Sequence, residues 1–283
     1  MKSGMSLYSY SGDIMAQKMN VYDAIEHSAE IGCKGIELVA EQHIPNWPYP
    51  TYKDLVDLRE KTESLGMKIV VMSCYIGTMI RSNRDQTQEE LINYAKQEIF
   101  CANVLGAKIV RPMYFAVGDL LQLGNEQVVD QKKEMIDIIT ACLPDLKKYD
   151  MVWGLELHAP YPIDYLTDIV KRIDSPYVKL ILDFSMWQTQ GLPSEYGCNP
   201  VETVKDLIPY TCHCHGKSHN FNDEGEEPFT PYKEIIMMLK ESHYDGYVVA
   251  EYEGWHLRYL DGRTMAKKNF DLINKYIECS TLG

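Results

Sequence analysis

The chain has 283 residues, 45% of them hydrophobic and 24% charged, a composition that excludes extended disorder and is long enough for one large domain or two small ones. Its 28 basic and 41 acidic side chains leave a formal charge of −13, which repels phosphate backbones and anionic lipid and so argues against nucleic-acid or membrane partners. No run approaches the ~20 apolar residues of a membrane helix, and the opening segment has no apolar core of a secretory leader, so a cytoplasmic protein is expected.

In chain order, strand-type runs at 3–10, 35–40, 68–73, 107–113, 151–158, 178–185, 210–217 and 246–253 alternate with helical patterns. The helical patterns lie at 21–31, 52–65, 88–105, 127–149, 164–173, 231–242 and 264–277. The first of them places Val21, Ile25, Ser28 and Ala29 on one face, the spacing of an amphipathic helix. Glycines at 32, 66 and 106 close helices ahead of the next strand, as left-handed C-terminal caps do. Eight such units match the (β/α)₈ TIM barrel, typically ~250 residues long. A doubly wound nucleotide-binding sheet would open on a glycine-rich turn, and neither GxGxxG nor GxxxxGK[ST] occurs. No Pro/Ser/Gly-rich linker interrupts the pattern, so 1–283 is expected to be a single barrel domain.

The 8 cysteines are scattered through apolar runs and form no CxxC pair, which reads as reduced core thiols. The 20 tyrosines and 4 tryptophans serve first to fill the core, with rings to spare for a sugar-sized or aromatic ligand.

In a barrel the chemistry lies at the C-terminal ends of the strands. The fifth strand ends in Glu156 and His158 on one face, and the sixth in Asp183. The seventh carries His213, His215 and Lys217 on one face, and the eighth Glu251 and Glu253, by period-two alternation. A single strand-end carboxylate is ordinarily a helix cap or a surface ion pair, but four consecutive strands share one mouth. Two glutamates, an aspartate and a histidine meeting there would repel one another unless a divalent cation joined them. That donor set suits Mn²⁺, Mg²⁺ or Co²⁺ more than a structural zinc. A zinc-knuckle reading of 212–215 fails, because neighbouring Cys and His side chains on a strand face opposite ways.

Further candidates surround the mouth. Arg111 ends the fourth strand on the inward face, and Glu37 lies on the second strand as a carboxylate behind the ligands. The Pro-rich stretch 43–50, with His43 and Trp47, follows the second strand, and Trp187, His219 and Trp255 lie just past other strand ends. Aromatic rings in such loops stack well on sugars or flat aglycones. His27 and His243 read as outward helix-face residues.

The segments GLELHAP (154–160), LILDFS (180–185), HCHGK (213–217) and YVVAEYEG (247–254) resemble the xylose-isomerase-like TIM-barrel superfamily over essentially the whole chain. That group spans sugar isomerases and epimerases, inosose and dehydroshikimate dehydratases, and endonuclease IV. The resemblance implies that Glu156, Asp183, His215 and Glu251, spaced 27, 32 and 36 residues apart, hold one divalent ion. Mn²⁺ is expected first, with Mg²⁺, Co²⁺ or Zn²⁺ as alternatives, and the two glutamates would also move the proton. Met186 stands where many epimerase-like members carry a histidine, and Phe221 follows the seventh strand where some carry an arginine. Glu-x-His-Ala-Pro combined with His-x-Lys is similar to the metal-dependent alpha subunit of C-glycoside deglycosidases, which act on 3-keto-glycosides.

The expected chemistry is removal of the proton α to a sugar carbonyl by Glu156, Glu251 or His158, with Lys217 assisting the oxyanion. An isomerase or epimerase is the first expectation, and a β-eliminating lyase or a dehydratase the alternative. An endonuclease IV-like phosphodiesterase conflicts with the acidic charge, and a non-enzymatic binding barrel leaves the ionisable strand ends unexplained. The expected partners are a small carbohydrate substrate and either further copies of the chain or a small partner subunit.

Overall fold

The computed structural model describes residues 1–75, 87–112, 125–157, 163–185, 188–189, 192–193, 201–256 and 260–279. Eight strands form its centre: β1 (Lys2–Ser6), β2 (Gly35–Val39), β3 (Lys68–Cys74), β4 (Ile109–Pro112), β5 (Val152–Leu157), β6 (Val178–Asp183), β7 (Thr211–Ser218) and β8 (Tyr247–Tyr252). Each follows the strand before it around a closed barrel, and β8 returns to β1. All these pairings are parallel, with Asp183 opposite His215, Glu251 opposite Lys217 and Lys2 opposite Tyr247. This is the (β/α)₈ architecture expected from the strand and helix count.

Among the described residues, besides the short helical turns Ser11–Met15 and Ala40–His43, the helices are α1 (Val21–Glu30), α2 (Tyr52–Ser64), α3 (Gln88–Leu105), α4 (Asn125–Tyr149), α5 (Ile163–Ile173), α6 (Val204–Leu207), α7 (Tyr232–Glu241) and α8 (Gly262–Glu278). Local chemistry starts several of them. Asn20, Thr51 and Thr87 each accept a backbone N–H of the first turn, while Asp23, Asp54 and Glu90 reach back to the cap residue. Each such capping box stabilises its helix by about 1 kcal/mol. α3 stops at Gly106, whose φ of 79° is a conformation other residues adopt only with strain.

The barrel floor is packed. Gly154 faces inward from β5, and a Cβ there would fall 2.6 Å from Ile181 Cδ1 and 3.3 Å from Ile109 Cγ2. Glycine at this point lets two isoleucines fill the layer beneath Glu156.

Two expectations need correction. β1 stops at Ser6, and the chain turns through the 3₁₀ segment Leu7–Tyr10 and the single helical turn Ser11–Met15. Ser9 explains this: its hydroxyl donates to the Ala250 carbonyl at 3.3 Å and accepts the Tyr252 N–H at 2.9 Å, tying the segment to β8. His27 is buried, with Nδ1 2.9 Å from the Tyr10 hydroxyl, rather than facing outward, whereas His243 is exposed. Between β6 and β7 the described helix is a single α-turn, α6, flanked by 3₁₀ turns.

Cys33, Cys74, Cys101, Cys142 and Cys214 are buried free thiols, Cys212 is half-buried, Cys279 is exposed and Cys198 lies outside the described residues. Cys74 donates its thiol to Glu98 at 2.9 Å, inside the β3–α3 contact. Burial, reinforced by the Glu41 carboxylate, outweighs that hydrogen bond and pushes the Glu98 carboxyl well above the usual range. The folded state therefore holds this proton more tightly than the unfolded chain, and the associated stabilisation disappears as pH rises through the raised value. Glu98→Gln is accordingly expected to melt above the wild type at neutral pH, with a gap that widens as pH rises over about pH 5–8. Melting curves recorded across that range check this, and a gap independent of pH would contradict it.

Candidate active site

At the C-terminal mouth, His215 from β7 is enclosed by carboxylates. Its Nδ1 lies 2.6 Å from Glu156 Oε1 on β5 and 2.9 Å from Glu251 Oε2 on β8. Its Nε2 lies 2.9 Å from Glu37 Oε2 on β2, which also takes His213 Nε2 at 3.2 Å. Burial alone would favour a neutral ring, but Glu251, Glu37 and Glu156 together raise the His215 pKa well above its ordinary value. His213 is lowered by burial, against the pull of Glu37.

Arg111 ends β4 beneath this group. Its Nη1 donates to Glu156 Oε2 at 2.6 Å, its Nε donates to the Ser73 hydroxyl at 2.7 Å, and the Nε stands 3.9 Å from Glu37 Oε1. The Ser73 hydroxyl in turn donates to Glu37. Burial opposes ionisation of Glu156, but Arg111 and then His215 hold its carboxyl well below the usual range. The Arg111 side chain is 5% exposed, and these contacts fix its guanidinium against the carboxylates of the site.

Asp183 stands one contact away. Its Oδ1 accepts the Ser185 N–H at 2.7 Å and hydroxyl at 3.0 Å, and its Oδ2 is 3.0 Å from Lys217 Nζ. Lys217 also approaches Glu253 at 2.9 Å and Glu251 at 3.8 Å. Burial would discharge the ammonium, yet Asp183, Glu251 and Glu253 outweigh it and raise its pKa well above the ordinary lysine value. His219, also buried, lies 3.5 Å from Glu253.

Glu156, His215 and Glu251 offer ligand atoms within 4.8 Å of one another. Among the described residues, Glu251 Oε2 and Asp183 Oδ2 are buried oxygens without a hydrogen-bond partner, although each stands near a charged neighbour. Two carboxylates converging on one imidazole nitrogen, with these oxygens left over, fit a hard divalent cation. Three of the four expected ligands thus come together directly, and Asp183 joins them through Lys217.

The remaining candidates divide. His43 is buried, its Nδ1 accepting the Val39 N–H at 2.8 Å. Burial lowers its pKa to about 3, so the neutral ring clips the Ala40–His43 turn to β2. Trp47 is half-buried against the core. Trp255 meets Tyr8 edge-on at 5.5 Å, and Tyr75 lies under the Arg111 guanidinium at 5.6 Å. His158 and Trp187 lie outside the described residues. Sequence reasoning missed Ser73, Tyr8, Tyr75 and the pairing role of Glu253. The first three have a signal in retrospect: Ser73 shares the inward face of β3 with Val71, Tyr75 directly follows β3, and Tyr8 lies two residues past β1.

A family model described as the xylose isomerase-like TIM barrel matches residues 25–276. The 3'-dehydrocarminate deglycosidase alpha subunit of a Microbacterium species is 22% identical over 91% of this chain and 90% of its own length. Among solved structures, the D-psicose 3-epimerase of Clostridium cellulolyticum H10 aligns with a TM-score of 0.77 at 15% identity, covering 99% of this chain and 100% of that one. The 3-keto-D-glucoside 4-epimerase of E. coli aligns with a TM-score of 0.67 at 16% identity, covering 97% and 99%. At these identities the two structures speak to fold alone.

Proposed function

The chain belongs to the xylose isomerase-like TIM-barrel family, and from that premise we propose that it is a divalent-metal-dependent enzyme that enolises a 3-keto-glycoside. The carrying observation is the convergence of Glu156 and Glu251 on one nitrogen of His215, with the Lys217 ammonium alongside. Glu156, His215 and Glu251, with Asp183 as a fourth donor, would hold the ion, Mn²⁺ first by the hardness of the set. When bound, such an ion supplies Lewis-acid polarisation of a carbonyl and its neighbouring hydroxyl.

The residues then take separable roles. Both oxygens of Glu156 are engaged, by His215 and Arg111, which suits a ligand better than a base. Glu251 is held more loosely, its Oε2 against the shared His215 Nδ1 at 2.9 Å and its Oε1 3.8 Å from Lys217, and is the better acceptor for the proton α to the ketone. Lys217, held charged, donates toward the oxygen that becomes an enolate. The C–H electron pair forms the C=C bond of that enolate. Its collapse can expel the substituent β to the carbonyl, which leaves with the bonding pair and takes up a proton. Return of the proton to the other face of the carbon gives an epimer instead.

Sequence alone ranked isomerisation first. The deglycosidase relative and the rings of Tyr8, Tyr75 and Trp255 beside the mouth favour elimination with release of an aglycone, and epimerisation becomes the second reading. The test supplies purified protein and Mn²⁺ with a panel of 3-keto-glycosides and a panel of free ketoses. Released aglycone supports elimination, and epimerised substrate without release supports the second reading. Bound metal with no α-proton exchange into deuterated solvent in either panel would remove the enolisation proposal altogether.

A further inference from the structure

We infer that Glu37 is the positioning residue of this centre: its carboxylate takes the Nε2–H of His215 and so leaves Nδ1 as the nitrogen that faces a cation held beside Glu156 and Glu251. This rests on reading those three side chains as the cation-holding group. A neutral imidazole carries one proton, and the nitrogen facing a fixed acceptor keeps it, leaving the other nitrogen as ligand. Glu37 Oε2 lies 2.9 Å from His215 Nε2 and 3.2 Å from His213 Nε2. Both rings present the same nitrogen to the same oxygen, packed edge-to-face at 83° and 5.4 Å between centroids. The partner oxygen, Oε1, takes the Ser73 hydroxyl and stands 3.9 Å from Arg111 Nε.

β2 and β7 are not neighbours in the barrel, so these contacts cross its interior. Glu37 is 1% exposed, and a carboxylate so buried is tolerable only when its oxygens are matched by donors. Ser73, His213 and His215 supply those donors and Arg111 the opposite charge. All four are side chains of the barrel interior, so the carboxylate is oriented before any ligand arrives. Glu37, His213 and His215 also fall within 4.8 Å of one another, as a second cation-holding trio could. A cation there would have to displace both N–H donors from Glu37 beside the Arg111 guanidinium, so the hydrogen-bonded role is the better match.

The test uses the full-length chain, freed of metal, with Mn²⁺ alone as probe and a chelating dye as competitor. Glu37→Gln is expected to weaken Mn²⁺ binding about 10- to 100-fold, measured on folded protein at a temperature below the melting point of every variant. Glu156→Gln, run beside it, reports on the underlying reading and is expected to weaken binding as well. Unchanged affinity in Glu156→Gln sinks the cation-holding group itself, whereas unchanged affinity in Glu37→Gln alone sinks only the positioning role. A second measurement needs no variant. In wild-type protein loaded with Cd²⁺ and labelled with the NMR-active isotopes of nitrogen and cadmium, the metal should couple to His215 Nδ1, with the proton on Nε2. Coupling to His215 Nε2 or to His213 would make Glu37 a ligand and overturn the inference.

Discussion

Glu156→Ala is expected to lose the bound cation, to lose turnover on the order of 10³-fold and to melt well below the wild type. These effects share one cause. The carboxylate bridges His215 Nδ1 and Arg111 Nη1, both at 2.6 Å, and all three side chains are buried. Removing it leaves a guanidinium in the barrel interior without its nearest counter-charge, and breaking such a buried pair from one side costs about 3–5 kcal/mol. Glu156→Gln, which keeps the volume and an oxygen for Arg111, should recover part of the stability while still failing to hold metal. Elemental analysis and thermal denaturation read the two consequences separately. Glu156→Ala protein that melts with the wild type would show that the Arg111 pair does not support the fold, and one that keeps stoichiometric metal would exclude Glu156 from the centre.

Lys217→Met should leave the barrel assembled and reduce kcat by about 10²- to 10³-fold, the usual loss when one fixed donor to a developing oxyanion is removed. Methionine matches the length of the aliphatic stem, so the chief change is charge. That charge lies 3.0 Å from Asp183, 2.9 Å from Glu253 and 3.8 Å from Glu251, and its loss leaves three carboxylates repelling one another. If the ammonium acts on the enolate and not on the ground-state ketone, kcat and kcat/KM should fall together with KM little changed. Lys217→Arg should rescue poorly, because a planar fork cannot replace a compact point charge in a closed space. Steady-state kinetics decide the matter: a raised KM at unchanged kcat would reassign Lys217 to substrate binding.

Much of the architecture was legible from pattern alone. The strand runs carry inward and outward alternation, and glycines at 32, 66 and 106 mark helix ends ahead of the next strand. Glu156, His215 and Glu251 were legible as strand-end groups on one face, because period-two alternation is a local rule. What escaped the sequence depends on distant partners. Ser73 and Glu37 meet across 36 residues, and His215 and Glu37 across 178. Arg111 was legible as a strand-end residue on the inward face, but its partners Glu156 and Ser73, 45 and 38 residues away, were not. Lys217 intervenes between Asp183 and Glu253, a three-strand relation that no single segment encodes. His27, read as a helix-face residue from its place on the first helical pattern, is buried with its Nδ1 against the Tyr10 hydroxyl.

The seam where β8 meets β1 bears on how the protein is made. Lys2 pairs with Tyr247, and Ser9 bonds the backbone of Ala250 and Tyr252 across 241 and 243 residues, so this seam has the longest loop to close. A chain leaving the ribosome exposes the open edge of β1 early and must wait until the last barrel strand has been synthesised to cover it, an interval in which unpaired edges invite misassociation. Glu251 lies on that same last strand. A nascent or prematurely ended chain therefore holds at most Glu156 and His215 of the trio, and capture of a cation by the full group becomes possible only when the ring of strands has shut.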